Sequence, residues 1–226
     1  MATLPKVCVI GAGSSGIAVV KALAERGIPS DCFEMSDRVG GNWVFGNKNG
    51  RSAAYRSLHI NTSRERMAYA DFPMPADWPD FPHHTLVAEY FARYVEHFGL
   101  RDKITFDTAV EHATRLVPRQ WRVTLGNGEV RDYEVLVVAN GHHWQPRWPE
   151  PPIPGRFAGA VLHSHDYIDP SEPVAMHGQR VVVVGMGNSA MDIACELCRP
   201  GIAERLYLSA RRGAWIMPNY LFGRPL

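Results

Sequence analysis

Apolar positions along the chain follow two periods, one of strands and one of helices. Residues 6–10 form a continuous apolar, β-branched run, which predicts a strand buried on both faces of a parallel sheet. Residues 15–26 carry apolar side chains at helical spacing and stop at Gly27, so they predict a helix. Residues 31–34 predict a second strand. Val87, Phe91, Val95 and Phe98 line one face of a predicted helix over 85–98, ended by Gly99. Three strand-like runs follow at 109–117, 120–125 and 129–138, the last two joined by Gly126-Asn127-Gly128 as a hairpin turn. A proline-rich stretch at 140–155 reads as an interdomain connection. Beyond it lie a buried strand (180–184), a helix (188–199) with Ala190, Ile193, Ala194 and Leu197 inward, and a further strand (205–209).

This order places a strand–helix–strand unit at each end of the chain. The fold class it predicts is α/β, with two Rossmann-like dinucleotide-binding units. Residues 35–84 are rich in Gly, Pro, Asn, Ser and aromatics. So long an irregular stretch in a compact domain points to service of a ligand.

Each unit carries a glycine motif between its first strand and its helix. Gly11-Ala12-Gly13-Ser14-Ser15-Gly16 is GxGxxG. Gly11 permits the tight turn, Gly13 allows a pyrophosphate to approach the backbone, and Gly16 allows close packing of helix on strand. Ser14 and Ser15 open the helix, whose free N–H groups suit a phosphate. Glu34 ends the second strand and suits a ribose with both hydroxyls free, as in FAD or NAD. The second motif, Gly185-Met186-Gly187-Asn188-Ser189-Ala190, is GxGxxA. No acid ends its following strand. Arg211 and Arg212 stand beyond it instead, and a guanidinium binds a 2′-phosphate where a carboxylate would repel it. That difference predicts NADPH at the second unit.

Composition narrows the remaining classes. The formal net charge is +1, which gives no electrostatic case for nucleic acid or an anionic membrane. No apolar run reaches the length of a transmembrane helix, so a cytoplasmic protein is expected. Of the four cysteines, Cys8 and Cys32 read as small core residues. Cys195 and Cys198 form a CxxC, but they lie well inside the predicted helix rather than at its N-terminus, so packing is expected rather than redox chemistry. No metal site is expected.

With these motifs in place, the chain resembles the flavin-containing monooxygenase family over essentially its whole length. The most selective segment begins at Phe157, with Gly159, His163 and Tyr167 at the positions of the family fingerprint FxGxxxHxxx(Y/F). Gly40-Gly41-Asn42-Trp43 is similar to the family's GGxW flavin loop, and Asn61-Thr62-Ser63 to its active-site asparagine segment. Residues 71–75 and 211–215 are similar to further family segments. Baeyer–Villiger relatives differ at Tyr167-Ile168, and Asn61 fits the heteroatom-oxidising branch. One departure is Ala139-Asn140-Gly141, where the family often has Ala-Thr-Gly; the same loop is expected.

The resemblance implies an enzyme in which NADPH reduces FAD and dioxygen forms a C4a-hydroperoxyflavin. A soft nucleophile, an amine nitrogen or a sulfur, then takes the terminal oxygen. It implies that Gly41, Asn42, Trp43, Asn61 and Thr62 serve the flavin, with Asn61 the catalytic residue. His163 and Tyr167 are then expected to shape the connection between domains. It also implies a division into an FAD domain at 1–145 lacking its returning C-terminal segment, a connection at 146–178, and the start of an NADPH domain at 179–226. A completing chain or a homo-oligomer would be expected as partner. Two other readings of the residues stay open: an NADPH oxidase or flavin reductase without oxygenation, and an inactive FAD-binding fragment.

Overall fold

The structure, a computed structural model, describes residues 4–226. Its strands are β1 (Val7–Ile10), β2 (Ser30–Phe33), β3 (Ile104–Thr105), β4 (Val110–Val117), β5 (Gln120–Leu125), β6 (Val130–Tyr133), β7 (Val135–Val138), β8 (Arg180–Val184), β9 (Arg205–Ser209), β10 (Tyr220–Leu221) and β11 (Arg224–Pro225). Its helices are α1 (Ser14–Glu25), α2 (Arg64–Met67), α3 (His84–His97) and α4 (Asn188–Leu197). The chain divides into two compact units. One holds the residues through Ser52 together with His84–Trp144, and the other holds Ala53–His83 with Gln145–Leu226.

The first unit is built on a parallel sheet in the order β3-β2-β1-β7. β1 is central, with Val9 paired to Cys32 on one side and to Val137 on the other. That position explains its unbroken apolar run, because both faces of a central parallel strand are covered. Val7, Cys8 and Val9 are buried, as are Ile17 and Val20 of α1 and Val87, Tyr90, Phe91, Tyr94 and Val95 of α3. The meander β4-β5-β6 contributes Val123, Leu125 and Tyr133 to one core with Cys8 and Phe33.

The run at 129–138, expected as one strand, is two strands in two sheets. The chain changes partner at Glu134, whose N–H donates to the Lys6 carbonyl (3.1 Å) and whose carboxylate accepts from the Lys6 N–H (2.7 Å). Tyr133 is buried just before the switch, and its hydroxyl donates to Asp31 at 2.7 Å.

In the second unit β8 and β9 are parallel, with Val181 opposite Leu206, and α4 crosses between them. Tyr55, Tyr167, Ile193 and Leu197 form its core. Residues 53–83 therefore pack with the C-terminal part of the chain. Two contacts fix this: Arg56 N–H donates to the Ile168 carbonyl (2.9 Å), and the Arg56 guanidinium pairs with Asp169 (2.8 Å). Arg64 organises the loop after α2, reaching the carbonyls of Pro75, Ala76 and Trp78. Val182 and Val184 of β8 and Tyr207 and Leu208 of β9 stay exposed. Among the described residues no helix is long and apolar enough to cross a membrane.

Candidate functional site

The first glycine turn sits where β1 ends. The Gly11 N–H donates to the Phe33 carbonyl at 2.8 Å, and the residue takes a φ of +95°, so the backbone itself demands glycine. A Cβ at Gly11 would also stand 2.7 Å from the Ala139 carbonyl oxygen. Gly16 is required by contact: its Cβ would lie 1.9 Å from the Gly11 carbonyl oxygen. Gly13 differs from both. It is the N-cap of α1 at φ −72° and ψ −171°, a conformation open to any residue, and a Cβ there would meet nothing closer than Gly41 Cα at 3.8 Å. Gly13, as N-cap, brings no side-chain hydrogen bond to the first N–H groups of α1. Ser14 and Ser15 are exposed at its first turn.

The second turn repeats this arrangement. The Gly185 N–H donates to the Ser209 carbonyl at 2.8 Å with φ at +130°. Gly187 is the N-cap of α4 at φ −83° and ψ 176°, no side chain caps the helix, and a Cβ at Gly187 would meet nothing within 4 Å. At both turns, then, the first glycine answers to the fold and the middle glycine does not. An uncapped helix start beside a bare backbone position is suited to an anion that approaches closely.

The sixth position separates the two turns. In the second it is Ala190, whose Cβ lies 3.7 Å from where a Gly185 Cβ would be, an ordinary contact distance.

Glu34 is only 5% exposed, and its two oxygens accept from Ala12 N–H (2.7 Å) and Ser36 N–H (2.8 Å). Burial pushes its carboxyl above the usual carboxylate range, and the N–H groups of Ala12, Ser36 and Met35 pull against that. The residue thus ties the end of β2 to the glycine turn. Three backbone N–H groups thus face its roughly four lone-pair directions.

The Gly40-Gly41-Asn42-Trp43 segment, distant in sequence, docks on the first turn. Gly40 N–H donates to the Ala12 carbonyl at 3.1 Å, and a Cβ on Gly41 would lie 3.3 Å from Gly13 Cα. Asn47 is buried and holds this loop: its amide donates to the Gly41 carbonyl (3.3 Å) and accepts from the Ser36 hydroxyl (2.6 Å). Ser52 adds a bond to the Asn42 carbonyl (2.7 Å). Ser36, Asn47 and Ser52 carry no sequence signal beyond their place in a polar stretch.

In the second unit Asn61 is exposed, with its amide oxygen 3.5 Å from the Thr62 hydroxyl. Its neighbours anchor it, Ile60 N–H on the Pro82 carbonyl and Ser63 N–H on the Leu226 carbonyl, each at 3.0 Å. Arg211 and Arg212 are exposed beyond β9. Along the fingerprint, the Phe157 ring lies over Gly159, and His163 Nδ1 accepts from the His165 N–H at 3.0 Å. Tyr167 is buried, with its hydroxyl 2.8 Å from Glu196. In the Ala139-Asn140-Gly141 loop the left-handed residue is Gly141, at φ +73°.

The packing expected of Cys195 and Cys198 does not occur. Both thiols are free and exposed, because α4 turns Ile193, Ala194, Glu196 and Leu197 inward and leaves 195 and 198 on the outer face. Cys8 and Cys32 are buried as expected, and burial pushes both thiols up to about 12. A maleimide titration of the native chain is therefore expected to label Cys195 and Cys198 quickly and the other two only after denaturation. Rapid labelling of all four thiols would contradict the burial of β1 and β2. No group of three or more potential metal ligands occurs among the described residues, and the expected absence of a metal site rests on the sequence.

Comparison with known proteins places this geometry. The chain is 39% identical to flavin-containing monooxygenase 3 of Homo sapiens over 223 residues, which is 94% of this chain and 41% of that protein. It therefore spans less than half the length of the curated relatives it matches. The solved structure of S-allyl-L-cysteine S-oxygenase from Allium sativum superposes with a TM-score of 0.82 at 27% identity, covering 98% of this chain and 54% of that one. A solved complex of OTEMO with FAD and NADP superposes at 0.72 with 25% identity, over 97% of this chain and 41% of that one. The α/β architecture and the flavin expected from the sequence both agree with these neighbours. The description "Flavin-binding monooxygenase-like" matches residues 4–222, and a match running almost end to end settles the family: the chain belongs to the flavin-binding monooxygenase-like family.

Proposed function

We propose that the chain carries the FAD seat and the first part of the NADPH seat of a monooxygenase that oxygenates an amine nitrogen or a sulfur. The observation that carries this reading is the pair of middle glycines, Gly13 and Gly187. Neither is needed by the backbone, and each stands at an uncapped helix start. Both strand–turn–helix–strand units are then Rossmann-like. Residues 1–145 serve FAD, 146–178 connect, and 179–226 begin the NADPH seat.

FAD and NADPH supply the hydride and dioxygen chemistry when bound. The chain's own residues bind and orient. The N–H groups opening α1, with the Ser14 and Ser15 hydroxyls, receive the FAD pyrophosphate, and the Glu34 carboxylate at the end of β2 accepts from a ribose hydroxyl. Gly41, Asn42, Trp43 and Thr62 shape the flavin's surroundings and exclude water. Asn61 offers its amide as a hydrogen-bonding group at the reacting centre. Asn188, Ser189 and Ala190 open α4 beside the NADPH pyrophosphate, and Arg211 and Arg212 grip its 2′-phosphate. Phe157, Gly159 and His163 hold the connection, and Tyr167 anchors it on α4.

The direct test is an absorbance spectrum of the purified chain after addition of FAD and then NADPH in air. Retained flavin that NADPH bleaches is the expected result, and a chain that retains no flavin overturns the reading of the first turn. Formation of an N-oxide or sulfoxide in step with NADPH use separates oxygenation from mere oxidase activity. Arg211→Ala is expected to raise the KM for NADPH about tenfold or more, the cost of a charge-assisted bidentate contact, with FAD retention unchanged. Asn61→Ala is expected to keep FAD and lose oxygenated product; full product formation by that variant would remove Asn61 from the chemistry.

A further inference from the structure

α4 carries two carboxylates one turn apart, and a tyrosine hydroxyl meets each of them. Tyr55 donates to Asp192, and Tyr167 donates to Glu196 at 2.8 Å. The Ser57 hydroxyl adds a second bond to Glu196 at 3.0 Å. The two rings meet edge to face with centroids 6.1 Å apart and pack on Ile193 and Leu197 of the same helix. Burial and the neighbouring carboxylates raise the pKa of both phenols, so both hydroxyls stay protonated donors at any ordinary pH.

Glu196 is 9% exposed, and no ion pair to it is found among the described residues. Burying a carboxylate on two hydroxyl donors is a poor route to stability, since an apolar pair of the same shape avoids the desolvation. What the arrangement supplies is direction. Each hydroxyl fixes the rotation and the height of α4 against a separate segment of chain: residues 55–57, a few residues before Asn61, and the last residue of the fingerprint.

We propose that Asp192 and Glu196 are positioning residues that clamp the helix opening the second glycine turn onto Tyr55, Ser57 and Tyr167. The clamp sets where the N–H groups of that turn point, and through it the affinity for a pyridine nucleotide. This rests on the reading of the second turn as a nucleotide seat.

The experiment combines hydrogen exchange of the ligand-free chain with NADP⁺ titration by calorimetry, for the wild type and for Glu196→Ala, Glu196→Gln, Tyr167→Phe and the Ala/Phe double variant. In the absence of nucleotide, Glu196→Ala is expected to speed exchange both over residues 185–191 and over 55–58, while β1 and α1 stay unchanged. With NADP⁺, Glu196→Ala and Tyr167→Phe are each expected to raise Kd about tenfold, the double variant no more than the single ones, and Glu196→Gln to recover most of the loss. Lower thermal stability with unchanged Kd and unchanged exchange at 55–58 would overturn the clamp and leave a local packing contact. If the wild type shows no NADP⁺ binding, the nucleotide reading of the second turn fails by itself. The clamp is then judged on the ligand-free exchange alone, where unchanged rates at 185–191 overturn it.

Discussion

Gly13→Ala is expected to leave the ligand-free chain folded and to strip it of flavin. The added methyl sits at a helix N-cap with extended backbone angles, φ −72° and ψ −171°, and meets nothing nearer than Gly41 Cα at 3.8 Å. Its effect on stability is then a balance of small terms. Glycine is the better N-cap by some tenths of a kcal/mol, and alanine regains about 0.4–1 kcal/mol from the unfolded chain. A pyrophosphate seated on the bare backbone meets that same methyl directly. Forcing one methyl into a packed contact costs about 1–3 kcal/mol, which is up to about a hundredfold in Kd. Flavin retained through gel filtration and a melting curve of the flavin-free chain check the two halves separately. Gly187→Ala is the mirror experiment, with FAD kept and NADPH affinity lost. A Gly13→Ala chain that melts early yet holds FAD normally would show that the glycine serves the fold after all, and the argument from the middle glycines would fall at both turns.

Why the glycine turns were legible and other parts were not has a physical basis. A turn that needs a left-handed φ at Gly11 and again at Gly185 leaves its mark at the residue concerned, and the apolar run of β1 reports its own burial. The parts that escaped depend on partners far along the chain. Glu134 stands where a charged run (129–134) meets an apolar one (135–138), and the bonds it makes to the backbone of distant Lys6 decide that the strand changes sheet there. The depth of Cys195 and Cys198 in the helix does not fix the side they face; α4 has its own inward face, set by Ile193 and Leu197. Asn47 looks like any turn asparagine until its amide is seen between Gly41 and Ser36. Residues 53–83 lack the periodicity that would assign them to either unit, and single contacts such as Arg56 with Asp169 assign them.

Gly16→Ala is expected to be the opposite of Gly13→Ala, a failure of the fold that no ligand repairs. Its Cβ would stand 1.9 Å from the Gly11 carbonyl oxygen and 2.9 Å from the carbonyl carbon. Both atoms are backbone, and they are held in turn by the Gly11 N–H bond to Phe33 and by the crossing of Ala139 over Gly11. No side chain is available to swing aside. Relief requires α1 to lift from β1, which opens the core around Ile17 and Val20. The cost is expected at about 3 kcal/mol or more, the upper range for overpacking, against about 5–15 kcal/mol of total stability in a typical domain. Ala190 stands at the corresponding position of the second turn, so Ala190→Gly there is expected to lose only the ~1 kcal/mol that separates glycine from alanine in a helix. Denaturant melts of both variants check the pair. A wild-type midpoint for Gly16→Ala would mean that the turn yields by more than an ångström at little cost, and the two turns would then differ in sequence without differing in shape.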